Sequence, residues 1–438
     1  MSVIYSKELP LRHDVDVFVA GGGPAGCAAA IAAARNGASV FLAEEQACFG
    51  GLGTSGLVPA FMQFGDGENF LAAALGKEIL ERLWRYGGPE YAARKTLSIK
   101  VEALKRVYDD LMVESGAKFA FHTKLVDVVT DGDRISHCVL AAKSGVYAVR
   151  AKVYIDGTGD GDLAVWSGAP YDKGDEQGRV MAGTLCALWT NVDWTKEAVR
   201  DDSRVEEAYN DGVFKKLDRH LPGMWNISPN LAGSNAGHVY DVDGTDERSL
   251  TDGLLYTRKL YDQYEEYYHK YLPRFQNMEM VVSGAMLGIR ESRRVRGDYQ
   301  LVLDDFLRQA VFEDEIGRFA YPVDIHASDN SEKSHERFTK AHHGYRYQKG
   351  QSYGVPYRTL VPQKVDNLLV AGRCVSADRP MQSSIRVMPG CYLTGQAAGV
   401  SAALCVRDGL TPRTVDVHKI QAILKGMGMY LPNFETWA

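Results

Sequence analysis

An α/β architecture built around a parallel, Rossmann-like sheet is what the amino-acid sequence predicts, and three observations carry the prediction. A β-branched run at 15–20, VDVFVA, ends in the glycine cluster AGGGPAG and passes at once into an alanine-rich segment, CAAAIAAARNG. A second strand-like run, ASVFLAEE, ends in two acidic residues and completes a βαβ unit within the first 45 residues. Far along the chain, VDNLLVAGRCVSA and then GCYLTGQAAGVSAALCVRDG restore the same strand, loop and helix pattern. Two regions so alike and so distant point to one domain that is discontinuous in sequence.

The first element carries the chemistry. Gly21-Gly22-Gly23-Pro24-Ala25-Gly26 spells G-x-G-x-x-G between a strand and a helix. Gly21 permits the tight turn, Gly23 lets the backbone approach a pyrophosphate, and Gly26 lets helix and strand pack closely. The helix N-terminus adds free N–H groups and a positive partial charge for phosphate. Glu44 stands 18 positions beyond Gly26, where an acidic residue accepts hydrogen bonds from a ribose hydroxyl, and Glu45 follows it. NAD and FAD share the adenosine diphosphate half that this motif holds, so both stay open here. A glycine-rich loop, CFGGLGTSGLVPAF, comes next.

From 66 to 114 the pattern turns helical, with LAAALGKEILERLWRYGG and KVEALKRVYDDLMVESG showing apolar residues at three-to-four spacing and closing on glycine. Short strands then return, with turns at Asp131-Gly132 and Ser144-Gly145, so a small β-meander precedes the strand VYIDGTG. Between 169 and 361 aromatic residues, His and Arg become frequent and no simple period emerges. The predicted organisation is a cofactor domain from 1–65, 115–168 and 362–412, a helical insertion at 66–114, an α+β substrate domain at 169–361 and a C-terminal segment at 413–438.

Composition narrows the function classes. The 438 residues are 45% hydrophobic and 24% charged, with a net charge of -6 and both signs mixed along the chain. No basic face is announced that would attract nucleic acid or anionic lipid. The most apolar stretches are interrupted by Arg35 and Arg407 before the ~20 residues that a membrane span requires. The N-terminal residues lack the pattern of a secretory signal, so a cytoplasmic protein is expected. Seven cysteines without a C-x-x-C pair suggest neither a zinc cage nor a disulfide framework. No metal is expected.

The blocks AGGGPAGCAAAIAAARNGASVFLAEE, CFGGLGTSG, IDGTGDGDLA, GIRESRRVRGDY, YPVDIH, YGVPYRTLVP and NLLVAGRCVSADRPMQSSIRVMPGCYLTGQAAGVSAAL, spread from 14 to about 405, resemble a bacterial FAD-dependent oxidoreductase family of the glutathione-reductase-like superfamily. The resemblance implies FAD as cofactor. It implies that Gly50 and Gly51 pass near the cofactor, that the strand carrying Asp156, Gly157, Thr158 and Gly159 closes over its adenine side, and that Asp160 and Val126 belong to the same site. Gly372 would approach the ribityl chain. Many relatives carry Asp where this chain has Arg373, which puts the usual ribityl contact in doubt and suggests a phosphate contact instead. Met388, Pro389 and Gly390 would open a helix whose N-terminus stabilises the reduced flavin electrostatically.

Catalytic residues are sought in the substrate region. Arg290, Glu291, Arg293, Arg294 and Arg296 crowd the block from Gly288 to Tyr299, either as an ion-pair network or as an anion site. Arg290 is the expected anion anchor. His326 in YPVDIH and His342 beside His343 are the candidate general bases, because a neutral imidazole accepts a proton near pH 7. Tyr261, Tyr264, Tyr268, Tyr271 and Phe275 fall at helical spacing and form a core stripe or the contact of a homo-oligomer. The expected function is removal of a hydride from a small polar organic substrate, with electrons passed to an acceptor that the sequence does not identify. Two alternatives stay open: an NAD-dependent dehydrogenase, and a protein resembling thiazole-biosynthesis enzymes that uses the dinucleotide as ligand or reactant.

Overall fold

The computed structural model describes residues 3, 4, 6–198, 200, 202–218 and 223–437, and the side chains at 338, 341–343 and 437 lie outside that description. Strand β1 (Leu11–Ala20) is buried from Val17 onward, helix α1 (Pro24–Arg35) follows, and β2 (Val40–Ala43) is buried throughout. β1 and β2 are parallel, with Val17 opposite Val40 and Ala20 opposite Ala43. Continuous apolar runs of this kind suit strands covered on both faces. β3 (Lys118–Ala120) extends the sheet beyond β2, while β4 (Thr123–Asp131), β5 (Arg134–Ala142) and β6 (Gly145–Asp156) form the meander. Gly132 and Gly145, at φ of +60° and +112°, make its two turns.

β6 then returns to lie parallel to β1, and the strand Leu368–Val370 pairs parallel with its far end. This register positions the site. Ala20 stands opposite both Ala43 and Asp156, and Asp156 stands opposite Val370, so four strands end in one row. The loops after them begin side by side at Gly21, Glu44, Gly157 and Ala371. In open α/β sheets a ligand binds outside such a row of carboxyl ends.

The helix Met388–Asp408 packs on α1 with almost no side chain between them. A Cβ on Gly395 would lie 2.2 Å from the Ala25 oxygen, and one on Gly399 would lie 2.2 Å from the Ala29 oxygen. The pairs 395 with 25 and 399 with 29 show that the two helices run parallel. The 388–408 helix therefore starts six residues, about 9 Å, ahead of α1, at 1.5 Å per residue.

The helical stretch contains Leu75–Tyr86, Pro89–Arg94 and Val101–Ser115. Its first helix begins at Leu75 instead of Leu71 because Ala74 adopts φ 52° and ψ -116°, outside helical space. Residues from 185 to 289 form a second core, with an antiparallel sheet in the order Glu279–Ser283, Ala187–Thr190, Leu231–Ser234, Met224–Ser228 and the long helix Glu247–Tyr271. Tyr261, Tyr264, Tyr268, Tyr271 and Phe275 are buried in that core, which accounts for the tyrosine stripe without an oligomer contact. The segment from 301 to 361 packs into the first core through Phe306, Ile316, Phe319, Tyr353 and Leu360, so the region expected as one substrate domain divides between two cores. Among the described residues no helix is long and apolar enough to cross a membrane.

Candidate active site

The turn after β1 explains its glycines differently. Gly21 has φ +88°, and a Cβ on Gly26 would lie 1.9 Å from the Gly21 oxygen, so both are required by the protein's own packing. Gly23 is another matter. Its φ of -67° suits any residue, and a Cβ there would meet only the Gly157 oxygen at 3.9 Å. Nothing among the described residues demands glycine at this position; a pyrophosphate lying against the backbone would.

Helix starts give a second, independent sign. The helices that begin after Asp246, Asp378 and Asp416 are each capped by that carboxylate, which accepts a backbone N–H. α1 and the 388–408 helix begin after Gly23 and Val387, with no side-chain cap and no acidic residue in the first turn. Their leading N–H groups keep the positive ends of both helix dipoles available to a ligand. Pro24 and Pro389 occupy early positions where the missing N–H costs nothing.

Glu44 is buried, and its two carboxylate oxygens accept from Gly22 N at 2.5 Å and Gln46 N at 2.7 Å. Burial pushes its carboxyl upward in pKa, against the two backbone N–H groups that favour the anion. Each oxygen keeps one lone pair, so a ribose contact is still within its capacity. Glu45 is exposed and pairs with Lys124 at 3.1 Å. Gly50 and Gly51 both have positive φ and lead into a short turn, and a Cβ on Gly51 would lie 3.3 Å from Gly23 Cα. Val126 is the bulged residue of β4: Leu125 pairs with Leu140 and Asp127 with Val139, leaving Val126 outside the ladder with an exposed side chain. What it can offer a cofactor is backbone.

The loop after β6 is organised by fully buried Asp156, which accepts from Thr158 N, Thr158 Oγ1 and Ala164 N at 3.0, 2.7 and 2.9 Å. Arg373 departs from expectation. Its guanidinium donates to the Gly159 oxygen at 2.9 Å, the Ile289 oxygen at 2.5 Å and Asp160 Oδ1 at 2.6 Å. Asp160 also accepts from Ser292 Oγ at 2.6 Å. Arg373 thus ties three loops together, and the expected phosphate contact gives way to this clamp. Gly372, at φ +83°, lies against Ala25 and Cys391: a Cβ there would come within 2.8 Å of the Ala25 side chain. Met388 borders the glycine loop at Gly53, and Gly390 is held against the Ile385 oxygen.

The arginine block sorts into two roles. Glu291, fully buried, pairs with Arg294 and with Arg379 at 2.9 Å, while Arg293 meets Asp162 at 2.9 Å and Arg296 meets Asp172 at 2.5 Å. These form the ion-pair network. Arg290 stands apart, buried and bonded among the described residues only to neutral oxygens: Ala182 O at 2.7 Å, Thr184 Oγ1 at 2.9 Å and Asn235 Oδ1 at 3.1 Å. His326 is also buried, with Nε2 3.5 Å from Asp324 Oδ2, and the same oxygen receives Arg386 at 3.1 Å. Burial first and the Arg290 charge second hold the His326 imidazole well below its usual pKa. The His326 ring lies 5.6 Å from that of His238, whose Nδ1 is 3.0 Å from Asp218. His342 falls in the helix Glu332–Gly344, but its side chain and that of His343 lie outside the described residues.

Arg386, Asp324 and His238 escaped the sequence reading. Arg386 carried a signal: a charge in the otherwise uncharged run before MPG, close to a helix start. Asp324 sits two residues before His326 in YPVDIH. His238 has no local mark, since its neighbours come from elsewhere in the chain.

The family model described as FAD dependent oxidoreductase matches residues 16–424. No curated protein was found to match. Among solved structures the chain is similar to a geranylgeranyl bacteriochlorophyll reductase-like protein from Thermoplasma acidophilum, at 12% identity and TM-score 0.45, covering 94% of this chain and 84% of that one. It is also similar to p-nitrophenol 4-monooxygenase PnpA from Pseudomonas putida, at 12% identity and TM-score 0.45, covering 97% and 92%. The flavin-dependent brominase Bmp2 matches at 12% identity and TM-score 0.44, covering 94% and 83%.

Proposed function

The chain belongs to the FAD-dependent oxidoreductase family, and on that premise we propose that it removes a hydride from a small polar organic substrate and passes the electrons to a separate acceptor. FAD is the cofactor. When bound, it supplies the two-electron acceptor that the polypeptide lacks. The observation that carries the reading is the pair of uncapped helix starts, one at Gly23 for the pyrophosphate and one at Met388, about 9 Å further on, for the ring. Gly21, Gly23, Ala25 and Gly26 would hold the pyrophosphate, Glu44 and the Val126 backbone the adenosine, and Gly372 with Gly390 the ribityl end. The parallel sheet with its three-stranded meander also favours the glutathione-reductase-like form of this fold.

The polypeptide's part is binding and proton transfer. Arg290 orients the substrate through charge, and neutral His326 takes the proton left on the heteroatom as the hydride departs. His342 is the second candidate for that base. An NAD-dependent dehydrogenase would leave the Gly372 and Met388 cradle without a role. Single-turnover bleaching of the bound flavin, followed anaerobically against alcohols, amines and hydroxy acids, tests the proposal. Reduction by a member of that panel, slowed about a hundredfold or more in His326→Ala with FAD retained, is the expected result. A flavin that resists the whole panel but is rapidly reduced by NADPH would replace hydride removal with another flavin chemistry.

A further inference from the structure

Arg290 is the only arginine of the 290–296 block with no carboxylate within ion-pair distance among the described residues, although it is just 7% exposed. Its three hydrogen bonds go to a peptide oxygen, a hydroxyl and an amide oxygen, which leaves two of its five N–H groups without an acceptor among the described residues. Among the described residues Arg386, with a side chain 12% exposed, reaches only Asp324, through one terminal nitrogen. Its Nε is buried without a hydrogen-bond partner among the described residues. Burial and the neighbouring Arg386 charge push the Arg290 guanidinium down to about 10 in pKa, so the two cations feel each other. A buried cation left unpaired is costly, and proteins seldom keep one without an anion to meet it.

Both arginines hang from backbone beside the proposed flavin position. The Arg386 oxygen accepts from Cys391 Sγ at 3.2 Å, in the first turn of the 388–408 helix. The Arg290 oxygen shares the Gln382 amide with the Arg373 oxygen, at 3.1 and 3.4 Å. Gly372 directly precedes Arg373. We infer that Arg290 and Arg386 together recognise the carboxylate of a small organic-acid substrate, an inference that rests on the functional reading above and narrows its substrate class. A guanidinium presents coplanar N–H pairs that meet two oxygens of one anion at once, which a halide cannot offer, and the phosphate arm of the test below separates a carboxylate from the other bidentate anion. Thr184, Asn235 and Asp324 are then positioning residues that hold the two guanidinium planes.

The test uses the purified holoprotein, titrated at constant ionic strength with acetate, malonate, inorganic phosphate and chloride. Two readouts are followed: the difference spectrum of the bound flavin and the thermal unfolding midpoint. Acetate and malonate are expected to give saturable changes in both, and Arg386→Lys and Arg290→Lys to weaken them at least tenfold while the flavin stays bound. If Arg290→Lys does not fold, Arg386→Lys decides alone. Equal responses to phosphate or chloride, wild-type affinity in the lysine variants, or no response to carboxylates would each overturn the inference. Protein that purifies without flavin would sink the functional reading instead, and the thermal arm would still report on the carboxylate site.

Discussion

At the scale of single residues, the site separates glycines that the fold requires, Gly21 and Gly26, from Gly23, for which the surrounding polypeptide gives no packing reason. A Cβ at Gly23 meets no protein atom closer than 3.9 Å, so Gly23→Val should leave the apoprotein's thermal midpoint within about 2 °C of wild type, as a sterically tolerated change does. It should nevertheless abolish FAD retention, read as the ratio of flavin to protein absorbance after gel filtration. Normal occupancy in that variant would move the pyrophosphate elsewhere. His326 gives a prediction in pH. Its pKa is lowered in the folded protein by burial and Arg290, opposed by Asp324. Between the folded value and the ordinary ~6.5, the unfolded chain binds the proton that the native state refuses, so stability rises with pH across this window and is lost as pH falls below about 6.5. The slope from one such group approaches ~1.4 kcal/mol per pH unit. Urea unfolding of His326→Asn from pH 7 down to 5 should show a shallower fall than wild type. Parallel curves would mean that His326 titrates normally. Gly21 and Gly23 were legible because their spacing is local. The split between Arg290 and its neighbours was not, because each arginine's role is set by whether a carboxylate from another loop, such as Asp162 or Asp172, arrives beside it.

At the scale of elements, the site depends on how closely two helices can approach. α1 is largely alanine, and Gly395 and Gly399 let the 388–408 helix touch its backbone, which brings both helix starts to one edge of the sheet. Gly399→Val would force a side chain into the Ala29 carbonyl. Overpacking of this kind costs roughly 1–3 kcal/mol or more. The expected result is a thermal midpoint lowered by several degrees together with weaker FAD binding. Gly426→Ala is the matched control: it too lies in a helix, but a Cβ there meets nothing within 4 Å, so it should be neutral or slightly stabilising. Equal effects from the two changes would remove close packing from the explanation. The βαβ unit and the meander were readable because glycine turns punctuate short apolar runs. The antiparallel strands between 187 and 283 and the helix Glu332–Gly344 were not. The strands pair with distant partners, and the helix has no long apolar stripe to mark its period.

At the scale of the whole molecule, the described residues hold one parallel βαβ nucleotide fold, one four-stranded antiparallel sheet and two antiparallel ribbons of two strands each, Tyr171–Lys173 with Arg293–Val295 and Glu315–Phe319 with Tyr353–Pro356. The sheet of Glu279–Ser283, Ala187–Thr190, Leu231–Ser234 and Met224–Ser228 has every pair antiparallel, so it offers no strand-to-helix crossover with a glycine turn at its carboxyl edge. The run Gly157-Thr158-Gly159-Asp160-Gly161 does not supply a second site. It belongs to the same sheet as the first fingerprint, with Asp156 in the row of Ala20, and its helix Asp162–Trp166 has only 5 residues. A reduced nicotinamide would therefore lack a dinucleotide fold of its own and, on the proposed placement of the substrate, would have to approach the flavin past Arg290 and Arg386. Its nicotinamide ring bears no carboxylate to meet those cations, so NADH and NADPH should be poor reductants and a substrate acid a good one. Stopped-flow mixing under anaerobic conditions checks this at the level of the intact holoprotein. Slow bleaching at micromolar NADH and NADPH, beside fast bleaching by an organic acid, is the expected pattern. Rapid reduction by either nicotinamide would mean that electrons enter through a transient site that the fold does not announce, and the direction of electron flow argued above would have to be reversed.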